Sequence, residues 1–76
     1  MAKRTGTDYS RFTAIGRIEW ADGGTSDLSA TFSDPDQVVN WIGLEIGYAK
    51  RAAAPEIYIH VTNNHNGQMM EFEQRF

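Results

Sequence analysis

Two histidines, His60 and His65, and two close pairs of acids, Asp34 with Asp36 and Glu71 with Glu73, are the residues whose types could do chemistry. A zinc centre needs three or four converging thiolate, imidazole or carboxylate ligands. The chain has no cysteine, so the histidines would have to recruit acids such as Glu56 or Glu71. One histidine falls in a strand pattern and the other in the turn after it, a poor geometry for convergence, and both read as surface residues with no metal expected. General acid–base work needs a carboxyl whose pKa is lifted by burial or by a like charge inside a pocket. Asp34 and Asp36 fall where a helix begins, and Glu71 and Glu73 on the solvent side of a strand pattern, so both pairs read as solvated acids. No Gly-x-Ser-x-Gly elbow is present. Gly23-Gly24 is not followed by the Gly-Lys-Ser or Gly-Lys-Thr of a phosphate loop. The expectation is a domain that is not an enzyme and uses no cofactor.

The elements that would carry these residues are legible from periodicity. From Phe12 to Trp20 the residues alternate, with Phe12, Ala14, Gly16, Ile18 and Trp20 on one side and Thr13, Ile15, Arg17 and Glu19 on the other, which is the period of a strand. Ala21-Asp22-Gly23-Gly24-Thr25-Ser26 has the residues of a hairpin loop. The return strand, Asp27 to Phe32, puts Leu28, Ala30 and Phe32 inward. Then comes Ser33-Asp34-Pro35-Asp36-Gln37: Asp34 as N-cap, Pro35 at the first helical position, and Gln37 placed to complete a capping box. Val38, Ile42, Ile46 and Ala49 recur at helical spacing with Trp41 alongside, Lys50 and Arg51 suit the negative end of the helix dipole, and Pro55 ends the helix. Glu56 to Thr62 alternates again, with Ile57, Ile59 and Val61 inward and Tyr58, His60 and Thr62 outward. Asn63 to Gly67 is a turn, and Gln68 to Phe76 closes the fold with Met70 and Phe72 inward and Met69, Glu71, Glu73 and Arg75 outward. The predicted fold class is α+β, arranged ββαββ: a four-stranded antiparallel sheet with one helix packed on one face.

At 76 residues and 8.6 kDa this is one domain with a thin core, burying roughly 60% of its unfolded surface. No run approaches the roughly 18 apolar residues of a membrane span, and the reading is a cytoplasmic protein. The net charge of −3 is unevenly spread. Residues 1–11 carry Lys3, Arg4 and Arg11 against Asp8 and read as a flexible basic arm, whereas residues 12–76 form the domain and are acidic. An acidic body repels a phosphate backbone, which makes nucleic acid an unfavoured partner and suits a protein whose own surface is basic.

Gly43 and Gly47 lie in the predicted helix, each costing up to ~1 kcal/mol relative to alanine. The favoured explanation is close approach of the helix to the sheet, the other being close approach of a partner. With a single helix, the second sheet face must meet water or a partner. Ile15, Arg17, Ser29, Thr31, Tyr58, His60, Met69 and Glu71 fall on that face, whose composition fits a binding surface and an ordinary mixed solvent face equally well.

The segment Thr31-Phe32-Ser33-Asp34-Pro35-Asp36-Gln37-Val38-Val39-Asn40-Trp41-Ile42, arriving after a glycine-turned hairpin, resembles the strand-to-helix junction of some small phage-encoded anti-CRISPR proteins. That resemblance implies an inhibitor from a phage or mobile element. Such proteins occlude a nucleic-acid-binding or nuclease-recruiting surface of a host defence complex, here a CRISPR effector complex. The expected function is therefore a non-enzymatic protein-binding domain that presents an acidic surface to a basic groove, with Asp22, Asp27, Asp34, Asp36, Glu45, Glu71 and Glu73 as charged candidates and Tyr58 and His60 as anchors. The alternatives are a nucleic-acid accessory domain working through the basic arm, and a structural module that homodimerises through its sheet edges.

Overall fold

A computed structural model describes residues 11–76, so the expected basic arm lies, apart from Arg11, outside the described residues. Two hairpins flank one helix: β1 (Phe12–Glu19), β2 (Thr25–Phe32), α1 (Pro35–Arg51), β3 (Glu56–Asn63) and β4 (Met69–Arg75). The ββαββ expectation holds. The four strands form one sheet in the order β2-β1-β3-β4, every neighbour antiparallel. The helix therefore links two strands that run parallel with β1 between them.

Local chemistry explains each junction. Trp20 and Gly24 close the first hairpin through a Trp20 N–H to Gly24 carbonyl bond of 2.8 Å, and Gly23, at φ 91°, takes the left-handed position of the three-residue loop. The Asp22 carboxylate accepts the Gly24 amide at 2.8 Å, so the second strand begins at Thr25, two residues earlier than the pattern predicts. In the second hairpin Asn63 donates to the Gln68 carbonyl at 2.8 Å, Gly67 sits at φ 76°, and Asn64 ties the turn to the first strand by a 2.7 Å amide bond to the Arg11 carbonyl. The Asp34 carboxylate caps α1 by accepting the Asp36 amide at 2.7 Å, with Pro35 in the first turn. The expected capping box is not made among the described residues: Asp34 accepts from the second helical amide, that of Asp36, rather than the third, and Gln37 returns no bond to Asp34.

At its other end the helix stops four residues before Pro55. Ala54 donates to the Ala49 carbonyl at 3.0 Å and Ala53 to the Lys50 carbonyl at 3.1 Å, the paired bonds of a Schellman motif. Ala53 sits at φ 60°, the one non-glycine among the described residues with positive φ.

The core lies between α1 and the inner sheet face. Phe12, Ala14 and Ile18 of β1, Ile57, Ile59 and Val61 of β3, and Val38, Ile42 and Ala49 of α1 are buried, with Ala54 beneath the helix end. Removing a branched side chain such as Ile18 or Ile59 from water contributes about 1.5–3 kcal/mol. Among the described residues no polar or charged residue is buried.

One packing expectation holds in direction without burial, and another needs correction. Met70 faces the inner side, opposite Val61, yet remains 53% exposed, because α1 lies over β1, β3 and β2 and leaves β4 at the margin. Gly43 and Gly47 do not let the helix approach the sheet. A methyl on Gly43 would meet open space, and one on Gly47 would meet only the tip of Arg51. The glycine that close packing does require is Gly16, where a methyl would drive into the Tyr58 carbonyl oxygen and lie 3.1 Å from Ile59 Cγ1.

Candidate functional site

Alternation along four registered strands places the outward residues in cross-strand rows on the sheet face that α1 does not cover. Reading from β2 to β4, one row is Ser29, Ile15, His60 and Glu71, and the next is Asp27, Arg17, Tyr58 and Glu73. Thr31, Thr13, Thr62 and Met69 form the row beyond, and Thr25, Glu19, Glu56 and Arg75 the row at the opposite end.

Two diagonal contacts set the side chains of the central rows. The Tyr58 hydroxyl donates to Glu71 Oε2 at 2.9 Å, and His60 Nε2 lies 3.2 Å from Met69 Sδ. Both lean from β3 toward β4, the reach expected of long side chains on diagonal neighbours. Their leaning leaves Ile15 bare on the other side, 51% exposed at the middle of the face. The result is a shallow open groove of about 430 Å³, with Ile15 and Tyr58 as its apolar surfaces and Arg17, Asp27, Ser29 and His60 as its polar ones.

The charge around this groove is predominantly negative. Glu19, Asp27, Glu56, Glu71 and Glu73 stand on the face against Arg17 and Arg75. Arg75 is shared, 3.6 Å from Glu56 and 3.6 Å from Glu73. Arg75 and Glu73 are exposed and Glu56 is half-buried, and at these separations the pairs contribute little to stability. Among the described residues Arg17 has no carboxylate within ion-pair distance. The hydrogen bond to Glu71, reinforced by the negative charge of Glu71 and Glu73, raises the Tyr58 phenol above its ordinary value of 10.0. The phenol therefore stays protonated and works as a donor at neutral pH.

The fold brings together five of the nine residues expected at the site: Asp27, Tyr58, His60, Glu71 and Glu73 share this face. The other four do not join them. Asp22 holds the first hairpin loop, Asp34 caps the helix, Asp36 stands on the first helical turn and Glu45 sits half-buried on the helix flank. Glu19 and Glu56 were not among the expected acids, although the alternation that places Arg17 and Tyr58 outward also carries them onto the face.

His65 is in the second hairpin loop, where its amide donates to Asn63 Oδ1 at 3.0 Å, far in register from His60. Among the described residues no three histidine or acidic side chains group as metal ligands would. The arrangement can do what an apolar centre inside a charged, hydrogen-bonding rim does: bind a complementary surface. Among the described residues no helix is long and apolar enough to cross a membrane. Comparison of the chain with protein-family profiles, with curated proteins and with solved structures found no match.

Proposed function

We propose that this chain is a protein-binding domain whose uncovered sheet face docks onto a basic surface of another protein, with Ile15 and Tyr58 seated at the centre and the acids around them facing Lys and Arg of the partner. The observation that carries this reading is the placing of Asp27, Glu19, Glu56, Glu71 and Glu73 around one exposed apolar spot on the sheet. The acids compete with phosphate for the partner's cations, so the domain acts as an inhibitor of nucleic-acid binding. The junction Thr31 to Ile42 and its resemblance to anti-CRISPR proteins favour a bacterial defence complex as that partner. Charge complementarity of this kind accelerates encounter and weakens as salt screens it, over about 8 Å at physiological ionic strength.

The test is capture from a nuclease-treated bacterial lysate on the immobilised full chain. Wild type retains a protein that releases as salt rises, and the triple reversal Asp27→Lys, Glu71→Lys, Glu73→Lys loses it. The matched reversal of Asp22, Asp36 and Glu45, which lie off the face, retains it. Equal retention by both triple variants, or retention that disappears with nuclease treatment, overturns the reading.

A further inference from the structure

The two edges of the sheet differ in what protects them. Natural edge strands are blunted by charge, proline, bulges or shortness. β4 carries Glu71, Glu73 and Arg75 on seven residues. β2 is eight residues long, pairs with β1 without a bulge, contains no proline and carries a single charge, Asp27. Its backbone groups can be traced. From the Trp20 to Gly24 closing bond the antiparallel ladder alternates between bonded and non-bonded pairs, so the amides and carbonyls of Thr25, Asp27, Ser29 and Thr31 point away from β1, into solvent.

Above this open edge stands an apolar wall. Trp41, Leu44 and Tyr48 fall at helical spacing on one flank of α1. Two ring contacts fix that flank on the β2 side. Phe32 of β2 meets Trp41 at 5.6 Å between centroids, and Trp20 meets Tyr48 edge-on at 6.0 Å while its Nε1 donates to Ser26 Oγ of β2 at 2.8 Å. Leu44 is 64% and Tyr48 50% exposed on this wall, and a groove of about 350 Å³ runs between it and the end of β2. A row of backbone bonds unmade among the described residues and an apolar overhang on the same side match what an added strand requires below and above it.

We propose that this edge pairs with the same edge of a second copy of the chain, β2 against β2 antiparallel about a two-fold axis, making one eight-stranded sheet with both helices on its inner face. Self-pairing is what the charges allow. In the two-fold registers centred on Leu28 or Ser29, Asp27 faces Ser29 or Thr31 of the second copy, and no acid faces an acid. At β4 each two-fold register centred on Glu71, Phe72 or Glu73 sets carboxylates directly opposite one another, which is destabilising. The two-fold also brings the second copy's Leu44 and Tyr48 toward the first, covering on each copy the residues that this wall leaves bare. The outer face with Tyr58 and Glu71 stays open in such a dimer, so this association is separate from docking on a basic partner.

Sedimentation equilibrium of the full chain from micromolar to millimolar concentration tests the proposal. A concentration-dependent dimer is expected. Ser29→Pro removes an amide that points to solvent in the monomer, which an edge strand tolerates. Leu44→Glu charges the wall. Each shifts the dimer dissociation constant at least ten-fold upward while the circular dichroism stays native. Backbone hydrogen exchange reads the same interface without mutation: the amides of Asp27, Ser29 and Thr31 gain protection as concentration rises. A strict monomer at millimolar concentration overturns the proposal. So does a dimer that protects the Glu71 and Glu73 amides instead, or one that survives both substitutions.

Discussion

Replacing Ala53 by glycine should make this protein more stable. Ala53 sits at φ 60° immediately after the helix, at the position where a Schellman motif ordinarily has glycine. An L-residue with a Cβ costs about 1–2 kcal/mol in the left-handed region. Glycine removes that cost but adds unfolded-state freedom worth about 0.4–1 kcal/mol. The backbone bonds from Ala53 to Lys50 and from Ala54 to Ala49 need no side chain at position 53, and the Ala53 methyl belongs to an exposed residue, so little packing is lost. The balance is a gain of about 0.5–1 kcal/mol, and for a domain of this size 1 kcal/mol moves the melting temperature by about 4–8 °C. Urea unfolding of Ala53→Gly should shift the midpoint upward with an unchanged slope. Ala52→Gly is the control, because Ala52 at φ −85°, ψ 5° is unstrained and its substitution brings only the entropic loss. Should Ala53→Gly be no more stable than wild type, or Ala52→Gly gain equally, the strain argument fails.

Gly16→Ala should be the most damaging single-methyl change in the sheet, costing about 1–3 kcal/mol or more by overpacking against the Tyr58 carbonyl and Ile59, read as a lowered urea midpoint. Gly43→Ala should do the opposite, since its methyl meets open space on an exposed helical turn, and a gain of up to about 1 kcal/mol is expected in the same assay. Glu71→Gln should bring the Tyr58 phenol back toward 10.0, followed by phenolate ultraviolet absorbance during alkaline titration. The sign is fixed by linkage: a folded-state value above the unfolded one stabilises below pH 10 and loses that contribution as pH rises through the folded value, so wild type should show the sharper alkaline loss of stability.

How far the sequence alone reaches is clearest at individual positions. The inward and outward sets of all four strands were legible because a period of two leaves only one choice once Ile57, Ile59 and Val61 are buried. Asp34 and Pro35 marked the helix start because their chemistry is local. The order β2-β1-β3-β4 was not legible, since pairing of Phe12 with Asn63 depends on contacts far apart in the chain and on no short motif. Met70 points inward as its periodicity indicates, but its exposure was not legible for the same reason, since it depends on where a helix some twenty residues earlier comes to rest. The glycines of α1 were misread because composition counts them without saying which flank they occupy. Ala53 gave no signal, alanine being an ordinary helix residue. At the candidate site Tyr58, His60, Glu71 and Glu73 were visible as outward residues, but only the registered pairing of β1 with β3 places Ile15 beside His60 and Arg17 beside Tyr58. The Asp34 carboxylate serves the helix cap that its place in the sequence indicates, and the Asp22 carboxylate serves its own hairpin loop, a role that its neighbourhood of turn residues could have indicated.

The central position of β1 has a consequence for how the molecule is made. The first strand among the described residues occupies the middle of the sheet, so its second edge cannot be filled until the β3 residues from Glu56 onward have emerged from the ribosome. Until then the nascent chain can complete only the first hairpin and the helix, with Ala14 and Ile18 lacking the strand they pack beside. The sheet therefore cannot be completed before β3 is made, and a product cut short at the helix end leaves the β3 side of β1 unpaired, an open edge suited to aggregation.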